Sequence, residues 1–335
     1  MNKIKYLRLS VFVAVVALAM ASGGAHAQQA ASTGAGHTYP NKPLRIVVGF
    51  VPGGAVDFIA RLMAQKLTEQ FGQPVVVENR PGAATSIAAE RVVTAAPDGY
   101  TLLLIPISTA VQSAFRKSLP YDLKRDLAPV TQLATGPLAL LVNPSLPVKS
   151  MKDFVAYARE QQGKLSVATP DVGSANHLAM ELLAARLQFK YLHVPYKGAG
   201  EAVVALAAGQ TTASLPSVAG MLPLVETGKV RALAVTTLKR AASLPNTPTI
   251  DETVVPGFNY GVWYGVSVPA ATPRAIVDRL NAALVKAVQM PDVREAMDKQ
   301  AMVPQTGTPA EFAALIAREI EQTTKLMQLA GIKAE

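Results

Sequence analysis

The 335-residue chain is half hydrophobic, 16% charged and free of cysteine. That length accommodates two domains and a sizeable core, and the missing cysteines exclude disulfides, thiolate metal sites and a cysteine nucleophile together. With 32 Lys and Arg against 23 Asp and Glu the net charge is +9, yet no Lys/Arg block occurs that would argue for nucleic acid.

The first residues read as a leader. Lys3, Lys5 and Arg8 form a basic start, Val11 to Met20 is an apolar stretch too short to span a bilayer, and Ala25-His26-Ala27 has the small-x-small form of a cleavage site. Residues 1–27 are therefore predicted to be a secretory signal peptide, with Gln28 first in the mature chain. Its removal leaves 29 basic against 23 acidic side chains, a net of +6 that suits an anionic small ligand or surface. Residues 28–38, rich in Ala, Gly, Ser and Gln, are predicted to be a loose mature N-terminus.

Organised chain begins near Tyr39. A β-branched run, Leu44 to Phe50, is read as a strand, and it breaks into Pro52-Gly53-Gly54. Asp57 to Phe71 follows with Ile59, Leu62, Met63 and Leu67 at helical spacing, stopped by Gly72. A strand, a glycine turn and a helix opening form an anion-binding device, because backbone N–H groups face out at the positive end of the helix dipole. The pattern recurs: strand Val75–Asn79, turn Gly82-Ala83-Ala84-Thr85-Ser86, a helix through Val92 and Val93, then strand Thr101–Ile105 followed by Ser108-Thr109. Strands alternating with helices predict α/β layers with a parallel or mixed sheet, and ligands in such sheets sit beyond the carboxyl ends of the strands.

A second series begins with a strand at Leu138–Val142. Ser150 and Asp153 predict a capped helix to Glu160. Strand Leu165–Ala168 leads through Gly173-Ser174 into an apolar helix, and strand 191–196 ends at Lys197-Gly198 before a helix that stops at Gly209. Strand Val230–Val235, a Pro-rich crossing segment 244–256, and an aromatic strand Phe258–Val268 follow. Thr272-Pro273 is read as an N-cap with proline at the first helical position, Pro291–Lys299 as a short helix, and Thr308 to Glu311 as the cap of a last one.

Several ordered motifs carry a family resemblance. They are Pro52-Gly53-Gly54-x-x-Asp57-x-x-Ala60-Arg61, Glu78-Asn79-Arg80-Pro81-Gly82-Ala83, Pro97-Asp98-Gly99-Tyr100, Gly173-Ser174-x-x-His177-Leu178-Ala179-x-Glu181, Val194-Pro195-Tyr196-Lys197-Gly198 and Gly228-Lys229-Val230-Arg231-Ala232. The chain resembles the Bug family, the extracytoplasmic receptors of tripartite tricarboxylate transporters, over nearly all of its mature length. The resemblance implies a periplasmic-binding-protein type II-like fold: two α/β lobes around a ligand cleft, joined by two crossing segments. Lobe 1 would comprise 39–137 plus 258–335, and lobe 2 would comprise 138–257. It further implies a periplasmic monomer without cofactor that captures a small organic carboxylate and delivers it to transporter membrane subunits. The alternative partner for the same fold is a membrane sensor kinase. Two departures from the family pattern stand out: Ala84-Thr85 and Ala88 where glycines are usual, and Thr211-Thr212 after Gly209-Gln210 where an aspartate is usual. Both are expected to alter ligand choice.

The residues expected at the ligand are Gly53, Gly54, Ala55 and Asp57 from the first turn, and Gly82, Ala83, Thr85 and Ser86 from the second. Ser108, Thr109, Gly173, Ser174, Tyr196 and Thr212 complete the set. Asp57 reads either as a cleft residue or as a dipole-facing charge, and Arg61 four residues on reads as its i,i+4 partner. Ser174 and His177 superficially suggest a hydrolase. They lie three apart at a helix start, and no Gly-x-Ser-x-Gly motif occurs, so Ser174 is read as a cap or ligand donor and no catalysis is expected. Too few histidines, and no His-x-x-x-His or Asp-x-Asp spacing, leave no metal site to propose.

Overall fold

A computed structural model describes residues 39–329 and 331–334. The predicted signal peptide and loose N-terminus lie outside the described residues. The chain divides into residues 1–41, of which 39–41 are described, with a cis Tyr39–Pro40 bond, and a second unit, 42–335.

Two sheets carry the second unit. The first is built from β1 (Leu44–Val48), β2 (Val75–Asn79), β3 (Thr101–Pro106), β4 (Leu127–Pro137), β10 (Gly261–Pro269) and β11 (Val303–Pro304), in the order β11-β4-β10-β3-β1-β2. The second holds β5 (Ala139–Val142), β6 (Ser166–Pro170), β7 (Leu192–Tyr196), β8 (Ala213–Ser214) and β9 (Arg231–Val235), in the order β7-β6-β8-β5-β9. β1 runs parallel to β2 and β3, and β6 runs parallel to β7 and β8. β10 is antiparallel to both β3 and β4. Each sheet is thus a parallel kernel with antiparallel additions. Ile46, Val47 and Leu102 to Ile105 are almost fully buried, so the central strands are covered on both faces, as their unbroken apolar runs require.

The helices between strands are α1 (Ala55–Phe71), α2 (Ser86–Val93) and α3 (Ile107–Phe115) in the first series. The second series has α4 (Met151–Glu160), α5 (Ala175–Leu187), α6 (Ala199–Ala207) and α7 (Leu222–Glu226). The chain then adds α8 (Ile250–Thr253), α9 (Arg274–Gln289), α10 (Pro291–Asp298) and α11 (Pro309–Leu329). Expected caps appear where short polar residues precede them. Ser150 Oγ accepts from Asp153 N–H, and Thr308 and Glu311 cap each other reciprocally. The α9 cap differs from expectation by one residue: Pro273 itself is the N-cap, and the Thr272 hydroxyl instead donates to the Pro269 carbonyl.

The backbone passes from the first sheet to the second between β4 and β5 and returns between β9 and β10. One side chain ties the two passages. Thr236 Oγ1 accepts from Leu138 N–H at 3.0 Å and donates to the Tyr260 carbonyl at 2.6 Å, while Thr236 N–H donates to the Leu138 carbonyl. Thr236 is fully buried, so these bonds exclude water.

Candidate functional site

The carboxyl ends of the parallel strands face one another across the boundary between the sheets, and there the first turn meets the second lobe. Gly53 has φ +96°, a conformation that favours glycine. Asp57 sits behind this turn. Its carboxylate accepts from Gly53 N–H at 3.1 Å, from Asn79 at 3.0 Å and from Arg61 through two nitrogens at 2.8 and 3.0 Å. Burial pushes the Asp57 carboxyl up, but the bonds from Arg61, Asn79 and Gly53 outweigh it and hold the group below its ordinary value. Asp57 therefore serves the turn from inside the lobe, and it lines neither the cavity between the sheets nor the groove beyond it.

That cavity is narrow, about 40 Å³. Phe50, Val51, Ile107, Leu138 and Val262 form its apolar walls, with Ser108, Asn176, Ser217 and Tyr264 as polar members. Three helices begin at its edge: α1 at Gly54-Ala55, α3 at Pro106-Ile107 and α6 at Ala199. Their N-caps are Gly54, Pro106 and Gly198, and none of the three makes a side-chain cap hydrogen bond. The first N–H groups of a helix have no intrahelical acceptor, so three sets of unserved donors and three positive dipole ends converge on one small space. Tyr264 Oη and Ser217 Oγ are 2.7 Å apart across the boundary. Burial pushes the Tyr264 phenol up to about 12, so it stands there as a neutral hydroxyl.

A groove of about 660 Å³ lies beside the cavity and shares Gly54, Ala199 and Ser217 with it. Pro52, Tyr196, Val204, Met221 and Leu224 line it, and its single carboxylate is that of Glu201. Among the described residues, no lysine or arginine lines either space.

The sheets are held together beside the cavity. Ser108 Oγ accepts from Ala175 N–H at 3.1 Å, and Gln112 Nε2 donates to the Val172 and Gly173 carbonyls at 3.1 and 2.8 Å. Ala84 N–H donates to Asp171 Oδ2 at 3.0 Å. At the mouth, Val51 of the first lobe touches Gly198 of the second, and Gly53 O lies beside Gly220.

The predicted site residues divide accordingly. Gly53, Gly54, Ala55, Ser108 and Tyr196 line the cavity or groove. Gly82, Ala83, Thr85, Ser86, Thr109, Gly173, Ser174 and Thr212 line neither. Thr85 and Thr109 spend their hydroxyls on each other, 2.8 Å apart and fully buried. Ser86 Oγ faces Tyr121 Oη at 3.4 Å. Thr212 Oγ1 is 3.0 Å from Ser166 Oγ, at the amino end of β6 and so at the opposite end of the sheet from the cleft. Ser174 caps α5 by accepting from His177 N–H. His177 Nδ1 accepts from Gly173 N–H at 3.1 Å, its Nε2 lies 3.4 Å from Glu181, and its ring stacks on His193 at 3.9 Å. Both are parts of a turn, with no nucleophile–base contact between them. Ser108 and Thr109, which follow the third strand, lie in the first turn of α3. Asn176, Ala199, Ser217 and Tyr264 are cavity residues that the sequence does not point to. The one local signal for them is Gly198-Ala199-Gly200, a glycine before a helix without a Ser, Thr, Asp or Asn cap, as at Gly54.

Comparison with known proteins gives this arrangement its class. The model of the tripartite tricarboxylate transporter family receptor, TctC, matches residues 59–332. The chain is similar to protein BugT of Bordetella pertussis, at 34% identity over 98% of this chain and 99% of that one. It is similar in structure to the periplasmic binding protein BugD, with TM-score 0.86 and 30% identity over 89% of this chain and all of the other. A third likeness is to R. palustris Rpa4515, solved with adipate, with TM-score 0.86 and 33% identity over 88% of this chain and 99% of that one. The fold is that of the periplasmic binding proteins, two α/β lobes around a cleft. The chain belongs to the TctC receptor family, whose members are solute-binding receptors and not enzymes.

Proposed function

We propose that this receptor is exported by its signal peptide to the periplasm, where it captures one small organic carboxylate between its lobes and delivers it to the membrane subunits of a tripartite transporter. The lobes are taken as 39–137 plus 258–335 and 138–257, working as a monomer. The observation that carries the reading is the convergence of three helix N-termini without side-chain caps, those of α1, α3 and α6, on one cavity between the sheets. Donors and dipoles of that kind hold an anion without a cationic side chain. The similar R. palustris protein was solved with adipate, which supports the same ligand chemistry. Because α1 and α3 belong to one lobe and α6 to the other, a carboxylate at their meeting point gains contacts only when the lobes are together. That differential affinity is what drives closure and offers the transporter a distinct liganded form.

Thermal melting with a panel of carboxylates, sugars and peptides tests this. The reading predicts a rise in Tm with at least one carboxylate, since a ligand bound only by the folded form stabilises it by mass action. A rise with sugars or peptides and none with any carboxylate would overturn it.

A further inference from the structure

We infer that His177 is a positioning residue for lobe closure: the neutral ring holds segment 171–175 of the second lobe against α3 of the first, and acidification that protonates it opens the lobes and weakens ligand capture. The inference rests on the proposed carboxylate-binding function and adds a regulation by pH to it.

Segment 171–175 carries a row of hydrogen bonds between the lobes. Asp171 accepts from Ala84 N–H, the Val172 and Gly173 carbonyls accept from Gln112 Nε2, and Ala175 N–H donates to Ser108 Oγ, a cavity residue. Gly173 is pressed against α3: a Cβ built on it would collide with Gln112 Nε2 and stand 2.6 Å from Phe115 Cδ1. His177 holds the segment from within the second lobe. Its Nδ1 accepts from Gly173 N–H at 3.1 Å, and its ring meets Phe115 edge-on at 6.1 Å. A backbone N–H can only donate, so Nδ1 carries its lone pair and the ring is neutral, with its proton on Nε2. His177, Gly173, Gln112 and Phe115 are all buried, so a lost acceptor there leaves a buried donor unpaired.

The two ring nitrogens act on the proton in opposite directions. Nε2 lies 3.4 Å from Glu181, four residues on in the same helix, and that carboxylate favours the imidazolium with the lobes open or closed. Nδ1 favours the neutral ring only while Gly173 sits against it. An imidazolium has no lone pair at Nδ1, so protonation sets two N–H groups against each other. In the open form, with Gln112 withdrawn, the segment can move off Nδ1; in the closed form it cannot. The two forms therefore bind the proton unequally, and closure is favoured while the ring is neutral and lost as falling pH protonates it. The groups around the ring are consistent with this. His193, from β7, stacks on it at 3.9 Å with Nε2 2.6 Å from Thr169 Oγ1; burial, and then the charge of His177, push it down to about 4. The His177 bond holds the Glu181 carboxyl below its ordinary value against burial, and Tyr191 Oη donates to it at 2.6 Å. His193 and Glu181 thus keep one charge state at mildly acidic pH. α3 turns Phe115 and Gln112 to the ring, neither of them titratable, and on the segment itself burial pushes Asp171 up, with Arg116 acting against that effect.

The chain has no cysteine, so Gln65→Cys on α1 and Ala156→Cys on α4, both exposed positions, take a pair of spin labels across the lobes. The label distances read the ratio of closed to open protein without any ligand, and titration calorimetry with adipate reads affinity. Both are measured at about pH 8 and about pH 5.5 on the wild type, His177→Gln and His193→Phe. The Gln amide can accept from Gly173 N–H and donate to Glu181 without titrating, and Phe keeps the stacked ring; His177→Asn serves as a second form should Gln disturb α5. The inference predicts that acidification lowers the closed-to-open ratio and the adipate affinity about tenfold in the wild type and in His193→Phe, and leaves both unmoved in His177→Gln. A wild-type ratio that acidification leaves unmoved, or one that falls equally in His177→Gln, overturns the inference while the carboxylate reading stands. Should adipate not bind, the label distances decide the inference by the same two outcomes, and the melting panel decides the carboxylate reading separately.

Discussion

Val51 and Gly198 meet across the mouth of the cleft. A Cβ built at Gly198 would stand 2.6 Å from Val51 Cγ2, closer than two carbons can approach. Gly198 has φ −178°, an extended backbone open to any residue, so nothing within its own lobe requires glycine there. The requirement comes from the opposite lobe.

A side chain at Gly198 should therefore disturb binding rather than folding. Gly198→Ala should leave the unliganded melting temperature nearly unchanged and weaken ligand binding by about 1–3 kcal/mol, the usual cost of overpacking a filled contact. Val51→Ala in the same chain should recover most of the loss. Titration of both variants with a carboxylate that stabilises the wild type measures it.

Asp57 supports the first turn through four hydrogen bonds. Asp57→Asn should cost about 1–3 kcal/mol of unfolding free energy at neutral pH, since it disrupts charge-assisted bonds in a buried setting. The pH dependence has a definite sign. Because the folded-state carboxyl lies below its ordinary value of 3.8, its stabilisation is complete above that value and is lost as the pH falls through the folded pKa. Urea unfolding curves of the two proteins should therefore converge on acidification below about pH 4 and stay apart above it.

Thr236 joins the two crossing segments. Thr236→Val keeps the shape but leaves Leu138 N–H without its hydroxyl acceptor and the Tyr260 carbonyl without its donor, in a site closed to water. A loss of about 1–3 kcal/mol is expected in chemical denaturation. Thr236→Ser, which keeps the hydroxyl, should lose much less.

The regular part of this fold is legible because its signals are local. Strand, glycine turn and helical periodicity succeed one another from Leu44 to Pro106, and the structure places β1, β2 and β3 there in parallel. β4, at Leu127–Pro137, has no such signal: it mixes Thr, Gln, Gly and Pro and owes its strand character to pairing with β10, more than a hundred residues away. The same distinction governs the site. The first turn announces itself by Pro52-Gly53-Gly54. The second, Gly82 to Ser86, looks equivalent in sequence, yet it faces Asp171 rather than the cavity, and only the other lobe reveals that. Asn176, Ser217 and Tyr264 carry no sequence mark, because what makes them cavity residues is the approach of two lobes. Thr212 illustrates the converse. Expected at the ligand from its place after Gly209-Gln210, it lies at the end of the sheet away from the cleft.

The central claim is that backbone N–H groups at three helix starts hold the ligand's carboxylate. The most direct measurement is a crystal structure of the receptor with a carboxylate that raises its melting temperature. The account predicts carboxylate oxygens about 3 Å from backbone nitrogens at the starts of α1, α3 and α6, the segments that open at Ala55, Ile107 and Ala199. A carboxylate paired instead with an arginine or lysine side chain, or seated outside the cavity between Val51, Ser108 and Ser217, would contradict it.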